Sequence, residues 1–241
     1  MPNSNDIPWG RVLVEGAAIV ISILLAFGID AWWQDRQERA EEQQVLNGLK
    51  DEFTLINDVL TSHKQQHLER LQALEELLES FDNDGTEPTP DVLTAALDVL
   101  VAPTTSDISN GTLHALLNSG RLEIFENTTL RKHLVGWESA IEEVWDDQQS
   151  HAKLVYEIHV PYFIGEGFGM GDVLAMWYGD GTSLVRSIGE DPAEIDRLLA
   201  DRRFRSMVET CYLYKLHLTE EFDGALGVTS EILAEINNSI R

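Results

Sequence analysis

Cys211 is the chain's single cysteine, so no internal disulfide can staple the fold and apolar packing has to hold it. In an apolar helical run such a residue reads as a small buried hydrophobe. Basic residues are also scarce, with 17 Lys and Arg against 42 Asp and Glu, a formal charge of -25. A surface this negative repels phosphate backbones, and nucleic acid is not expected among the partners. Catalytic signatures are missing too: there is no G-x-S-x-G, no phosphate-binding loop and no recognisable Cys-His arrangement. Gly165, Gly167, Gly169 and Gly171 alternate with Glu166, Phe168 and Met170, which fails the G-x-G-x-x-G spacing and follows a helix rather than a strand. No cofactor is expected, and carboxylates spread over helix faces single out no glycosidase pair.

What the chain does have is one long apolar run, GAAIVISILLAFGIDAWW. The 22 residues from 12 to 33 make a helix of about 33 Å, close to the roughly 30 Å of a hydrocarbon core. Trp9 precedes the run and Trp32 and Trp33 close it, as interfacial anchors do. A cleaved signal would need a basic start and a small-residue cleavage site, yet Arg11 is the one basic side chain ahead of the run and Trp-Trp follows Ile29-Asp30-Ala31. The segment therefore reads as a transmembrane helix behind a short tail, residues 1–11, with the lipid bilayer as its first partner. Lys and Arg are nearly balanced across it, Arg11 against Arg36, Arg39 and Lys50, and lean toward a cytoplasmic C-terminal domain.

Glu15, Ala18, Ser22, Ala26 and Asp30 recur at spacings of three and four and share one face, joined by Ile19. Small side chains at this spacing let a second helix approach closely. The two acids stand near opposite interfaces, where they reach headgroup water or meet polar partners on a neighbouring helix. They lie about 22 Å apart with Ser22 as the one polar residue between them on that face, so no proton pathway is expected.

Beyond the span, residues 34–81 read as a long amphipathic stalk helix. Leu46, Leu49, Phe53, Ile56 and Leu60 form a heptad-like seam, a polar stretch follows at His63, His67 and Arg70, and the seam resumes at Leu74, Leu77 and Phe81. It packs against later helices or self-associates as a coiled coil. Asp82-Asn83-Asp84-Gly85 and prolines 88 and 90 end it. Residues 82–241 then form a helical domain on the stalk. A short helix spans 90 to 101, Ser119-Gly120 is a stop, and Asn127 caps a long helix carrying Leu130, Leu134, Trp137, Ile141, Val144 and Trp145 to about His159. A Gly/aromatic loop is expected at about 161–183. Its Phe163, Phe168, Trp177 and Tyr178 either cap the bundle with Tyr162 or offer a partner contact. Asp191-Pro192 starts a short helix, and from about Asp201 a final helix carries Phe204, Val208, Cys211, Leu213, Leu216 and Leu218, with Gly224 and Gly227 as bends. The fold class is all-α, a transmembrane helix continuing into a stalk packed in an antiparallel bundle. His63 and His67, at i and i+4, are the candidate metal ligands, but HKQQH lacks the Glu of a zinc-protease helix and no metal is expected.

The pattern E-x3-I-x-I-x-I-L-x-A-F-x-I-x2-W from Glu15, and L-x-N-S-G-R-L-E-I-F-E-N-x2-L-R from Leu116 to Arg131, resemble a bacterial family of single-pass membrane proteins of unknown function. The resemblance covers about the first 145 residues. It implies an inner-membrane anchor, a long polar helix and a helical domain on the periplasmic side, and it supplies no activity or catalytic residues. The resulting expectation is a non-enzymatic scaffold or accessory subunit, bound to a membrane protein partner or to itself. A membrane-anchored sensor or ligand-binding module and an enzyme of unrecognised type are the alternatives. A dry bundle with an exposed aromatic loop favours the scaffold; a buried polar pocket with converging titratable groups favours the others.

Overall fold

The computed structural model describes residues 9–82, 87–106, 108–171, 173, 175 and 192–240, and the regular elements among them are helices. The first, α1 (Trp9–Asp82), is one unbroken helix of 74 residues, in keeping with a stretch that contains no proline. Residues 13–41 are exposed throughout, and Phe27 is 68% exposed. By length and composition this apolar part is able to cross a membrane. From Leu46 onward the same helix enters the core: Leu46, Leu49, Phe53, Ile56, Leu60, Leu74 and Leu77 are all buried within the chain. The heptad-like seam is thus filled by the protein's own later helices, and no second copy is needed to cover it.

Pro90 occupies the first turn of α2 (Pro90–Val101), where its missing N–H costs nothing, and the Thr89 hydroxyl accepts from Val92 N. The next helix, α3 (Gly111–Asn118), has no side-chain cap from Asn110. Glu52 on α1 takes that role, its carboxylate accepting from Thr112 N at 2.7 Å and Leu113 N at 3.0 Å, a negative group on the positive end of a helix. Gly120, at φ 67, makes the left-handed stop and leads into a 3-10 turn, Arg121–Ile124. Asn127 then caps α4 (Thr128–Leu154), its Oδ1 accepting from Thr129 N and Leu130 N.

Two expectations about the next stretch need correction. Instead of stopping before Pro161, α4 opens into a π-turn, Val155–His159, and continues as α5 (Val160–Glu166). Pro161 cannot donate and crowds the carbonyl four residues back. The wider turn, in which Val160 N–H reaches Val155 O, lets the chain stay helical through it. The expected loop therefore begins only after Glu166, at Gly167 with φ 75. Its proposed contact residues also face inward: Phe163 and Phe168 are 1% and 7% exposed, and they pack with Tyr162 and Phe204 at ring separations of 5.3 to 6.2 Å. Trp177 and Tyr178 lie outside the described residues.

After α6 (Pro192–Ala200), Asp201 caps α7 (Arg202–Ser239) through Arg203 N. This helix is continuous through Gly224 and Gly227. Its buried face runs through Phe204, Val208, Cys211, Lys215, Leu218 and Phe222. Leu213 and Leu216, assigned to the apolar face from their chemistry, are exposed; the helical register, set by the residues on either side, turns them outward. Since α7 runs antiparallel to both α1 and α4, its C-terminal end meets the start of α4 and the part of α1 that follows the exposed apolar run. Gln43 Nε2 donates to Ser239 O, and Asn127 Nδ2 donates to Glu235 Oε2 and Ser239 Oγ. Two apolar clusters result, one around Phe53, Trp137 and Phe222 near the anchor and one around Leu74, Phe163 and Phe204 at the far end.

Candidate functional site

Between those two clusters the helices keep their core spacing but change chemistry. On α1, Leu60, His63, His67, Arg70 and Leu74 follow one another at steps of three and four. On α4 the same steps run Val144, Gln148, His151, Val155, and on α7 they run Cys211, Lys215, Leu218. The segment 102–106, which leaves α2, lays Thr104 and Ser106 against them. The result is a polar layer inside the bundle: His67, His159 and Lys215 are 0% exposed, His151 1% and Gln148 3%.

Lys215 Nζ donates to Thr104 Oγ1 at 3.2 Å, and the same oxygen lies 3.4 Å from His67 Nε2. Arg70 pairs with Asp98 at 3.1 Å and donates to Ala102 O at 3.3 Å. Gln148 Oε1 accepts from Ser106 N at 3.0 Å and from Ser106 Oγ at 3.1 Å. His151 Nε2 is 3.3 Å from Cys211 Sγ, and His159 Nδ1 is 2.8 Å from Leu100 O. A carbonyl can only accept, so His159 carries its proton on Nδ1 and leaves Nε2 as a lone pair. Among the described residues, five buried side-chain atoms have no hydrogen-bond partner: His63 Nδ1, His67 Nδ1, Trp137 Nε1, Gln148 Nε2 and His159 Nε2.

Burial sets the charge states. It pushes His67 down to about 2, reinforced by the charges of Lys215 and Arg70 and by His63 and His151. It takes His151 to about 3, with Lys215, His159 and Arg70 adding to the effect. His63 and His159 are also lowered by burial, in the latter against the raising effect of the Leu100 bond. Lys215 falls to about 8, chiefly by burial, and the Cys211 thiol rises to about 12 for the same reason. At neutral pH the layer therefore holds neutral imidazoles, a protonated thiol, two cations and the Asp98 carboxylate. Cys211 and His151 touch as neutral partners, which withholds the thiolate that a nucleophile needs.

His63 stacks on Phe222 and His67 lies tilted against the same ring, with centroids 6.3 and 5.1 Å away, and cationic Lys215 and Arg70 stand close to His67. A metal cation would meet like charge there. Ligand-type atoms do gather elsewhere: those of Asp147, His217 and Glu221 lie within 4.8 Å of one another on an outer face where α4 meets α7. Nothing in the sequence pairs these two helices at that point, so spacing alone could not find the group. An open trough of about 670 Å³ runs past Asn110, His114, Glu138, Glu142 and Trp145, and a smaller one of about 340 Å³ lies beside the π-turn at Ile158, Tyr162, Arg203, Ser206 and Thr210.

At the anchor, Glu15, Ala18, Ser22, Ala26 and Asp30 are exposed along the shared helical face. The Ser22 hydroxyl donates to Ala18 O at 2.7 Å within the helix, so the stripe presents shape more than free donors. Trp32 and Trp33 pack at 6.3 Å, and the Arg36 guanidinium sits 5.8 Å from the Trp32 ring centre, an arrangement suited to an interface. Trp9 opens α1, its side chain lying outside the described ones.

Fold and site together define an all-α bundle with a buried polar layer, built on a helix whose exposed end is long and apolar enough to cross a membrane. Comparison with known proteins finds no matching family model, no matching curated protein and no matching solved structure. The likeness of the two motifs at 15–33 and 116–131 to bacterial anchored proteins rests on those residues alone.

Proposed function

We propose that the chain is a non-enzymatic, single-pass accessory subunit of the bacterial inner membrane, in which a ligand-responsive bundle is joined rigidly to an anchor that associates with other membrane helices. One observation carries this reading. α1 holds both the exposed stripe Glu15, Ala18, Ser22, Ala26, Asp30 and the buried His67 between half-buried His63 and Arg70, without a proline or a break between them. The polar layer in the interior and the inward-facing Phe163 and Phe168 speak against a purely passive scaffold, and the neutral Cys211–His151 contact gives no support to an enzyme. By the family resemblance the bundle lies on the periplasmic side, its core beginning about 20 Å along the helix beyond the last tryptophan of the span.

The test is extraction in mild detergent at native expression, followed by mass measurement and identification of co-purifying chains. Ala18→Leu and Ala26→Leu, which fill the close-approach face, are expected to dissociate the complex while leaving the bundle folded. Recovery of the unaltered chain as a lone monomer, uncrosslinkable in its native membrane, overturns the association.

A further inference from the structure

Where α4 meets α7 on the outer face, one imidazole stands among four carboxylates. Glu143 and Asp147 are one turn apart on α4, and His217, Glu220 and Glu221 share one turn of α7. The steps of four, Glu143 to Asp147 and His217 to Glu221, put each pair on a single helix face. His217 Nε2 is 3.3 Å from Asp147 Oδ2 and 3.7 Å from Glu221 Oε1, while its Nδ1 is 3.8 Å from Glu220 Oε2. Glu143 is in turn hydrogen-bonded to Glu221. Among the described residues no Lys or Arg forms an ion pair with any of these four acids. Hydrogen bonding accounts poorly for the arrangement. An N–H···O bond is about 2.7 to 3.2 Å long and a ring N–H points at one oxygen, yet two oxygens from different helices flank the same nitrogen beyond that range. The spacing is that of ligands around a metal: bonds of about 2.0 to 2.1 Å in a tetrahedron set neighbouring ligand atoms about 3.3 to 3.4 Å apart. Ligand atoms of Asp147, His217 and Glu221 all lie within 4.8 Å of one another. Three atoms so placed share a point no farther than about 2.8 Å from each, which small side-chain rotations shorten to bonding length.

We propose that Asp147, His217 and Glu221 bind a divalent transition cation of the zinc class, which ties α4 to α7. One imidazole nitrogen with two carboxylate oxygens is a ligand set for zinc; magnesium and calcium prefer oxygen alone, and copper(I) prefers sulfur. Glu143 beside Glu221, and Glu220 beside Nδ1 of His217, are the outer groups that orient two of the ligands, as carboxylates do behind metal-bound imidazoles. The His217 side chain is 57% exposed, against 27% for Asp147 and 24% for Glu221, so water reaches the ion and fills its fourth position. The cation also offsets carboxylate charge in a chain whose formal charge is -25. Asp147 adjoins Gln148, and His217 lies two residues beyond Lys215, so the ion clamps α4 and α7 next to the side chains they send into the polar layer. The site goes beyond the function proposed above and does not depend on association of the anchor.

The experiment uses the full chain without a polyhistidine tag, in detergent micelles, stripped with EDTA, freed of the chelator and titrated with zinc chloride in a calorimeter. Saturable binding of one ion per chain is expected, with a rise in the thermal midpoint followed by circular dichroism, and excess magnesium should not displace the zinc. His217→Ala and Asp147→Asn should each weaken zinc binding by about a hundredfold, the upper end of what loss of an orienting partner alone costs. Both side chains lie at the surface, so the helical signal of the two variants in zinc-free buffer should match that of the parent. His133→Gln, which removes an imidazole facing the single carboxylate of Glu231, should leave the affinity as it is. No saturable binding, displacement by magnesium, or an affinity unchanged in His217→Ala and Asp147→Asn shows ordinary ion pairs on an acidic surface and overturns the proposal. The Ala18→Leu and Ala26→Leu variants should bind zinc as the parent does, so the association test and this one fail separately.

Discussion

Lowering the pH from 7 to about 5 should destabilise the bundle through His67 and His151. Both are essentially unexposed, and burial holds them at about 2 and about 3 in the folded chain against an ordinary value of 6.5. Between the folded and unfolded values the unfolded chain takes up a proton that the folded chain refuses, so stability rises with pH across that window. The stabilisation is complete above about pH 6.5 and is lost progressively as the pH falls toward the folded values. Each group loses about 1.4 kcal/mol per unit. At pH 5 two such groups lose about 4 kcal/mol together, a large share of the 5 to 15 kcal/mol typical of a domain. The size of this loss does not depend on the precise folded values as long as both lie below 5. His63 and His159, also lowered, add in the same direction. Relief of self-repulsion among the acids acts in the opposite one, as does Glu221, which is raised by burial and by Glu143. The assay is therefore a comparison of urea unfolding at pH 7 and pH 5 for the unaltered chain and a His67→Phe/His151→Leu variant. The unaltered chain should lose about 4 kcal/mol more than the variant; equal losses refute the assignment of neutral buried imidazoles.

Three other outcomes follow from the same core. Asp98→Ala strands the Arg70 guanidinium and should cost about 3 kcal/mol in urea unfolding, whereas Arg70→Met/Asp98→Leu should recover most of that, because a buried pair is worth little beyond an apolar one. Trp137→Ala should cost about 3 to 5 kcal/mol; Trp137→Phe, which keeps the edge contact with Phe53 and removes the unpartnered indole N–H, should stay within about 1 kcal/mol of the parent by the same assay. Cys211, buried and pushed up to about 12, should react with a thiol reagent at neutral pH only as fast as the bundle opens, so its labelling rate should rise in step with urea-induced unfolding.

The elements of the fold were written plainly in the spacing of apolar residues and in the caps. Leu46 through Leu77, Asn127, Gly120 and Asp201 act in the structure as their types and positions require. Three features were hidden by local chemistry. Pro161 signals a helix end, and only packing of Tyr162 and Phe163 into the far cluster makes a π-turn the better solution. Leu213 and Leu216 look like core residues, but the register of α7 is fixed by Phe204, Val208, Leu218 and Phe222, which leaves Lys215 inside. The polar layer itself had a legible trace in the stalk, since His63, His67 and Arg70 do not interrupt the three-four alternation of the seam; they continue it. Treating them as a polar stretch between two parts of the seam followed from polarity alone. Their partners, Gln148, His151 and Lys215, occupy the corresponding core steps on two other helices, and no single-helix pattern can reveal that these levels coincide.

That coincidence constrains how the bundle can work. If α7 slid two turns along α1, Lys215 would leave His67 and Thr104 for the level of Leu60 or Leu74, and a buried ammonium facing only apolar side chains is far costlier than one with a hydroxyl partner. The layer thus fixes the register of α1, α4 and α7, and small changes in its charge act on α1 directly rather than by sliding the helices. Along α1, from His67 back to Ala26, there is no proline and Gly48 and Gly28 are the only glycines, so nothing in that stretch breaks the hydrogen-bond ladder. A rotation of α1 about its own axis at the level of His67 is then carried to the face containing Ala18, Ser22 and Ala26. On the function proposed here, the anchor's partner would sense the state of the layer as a change in which side of the span it is offered.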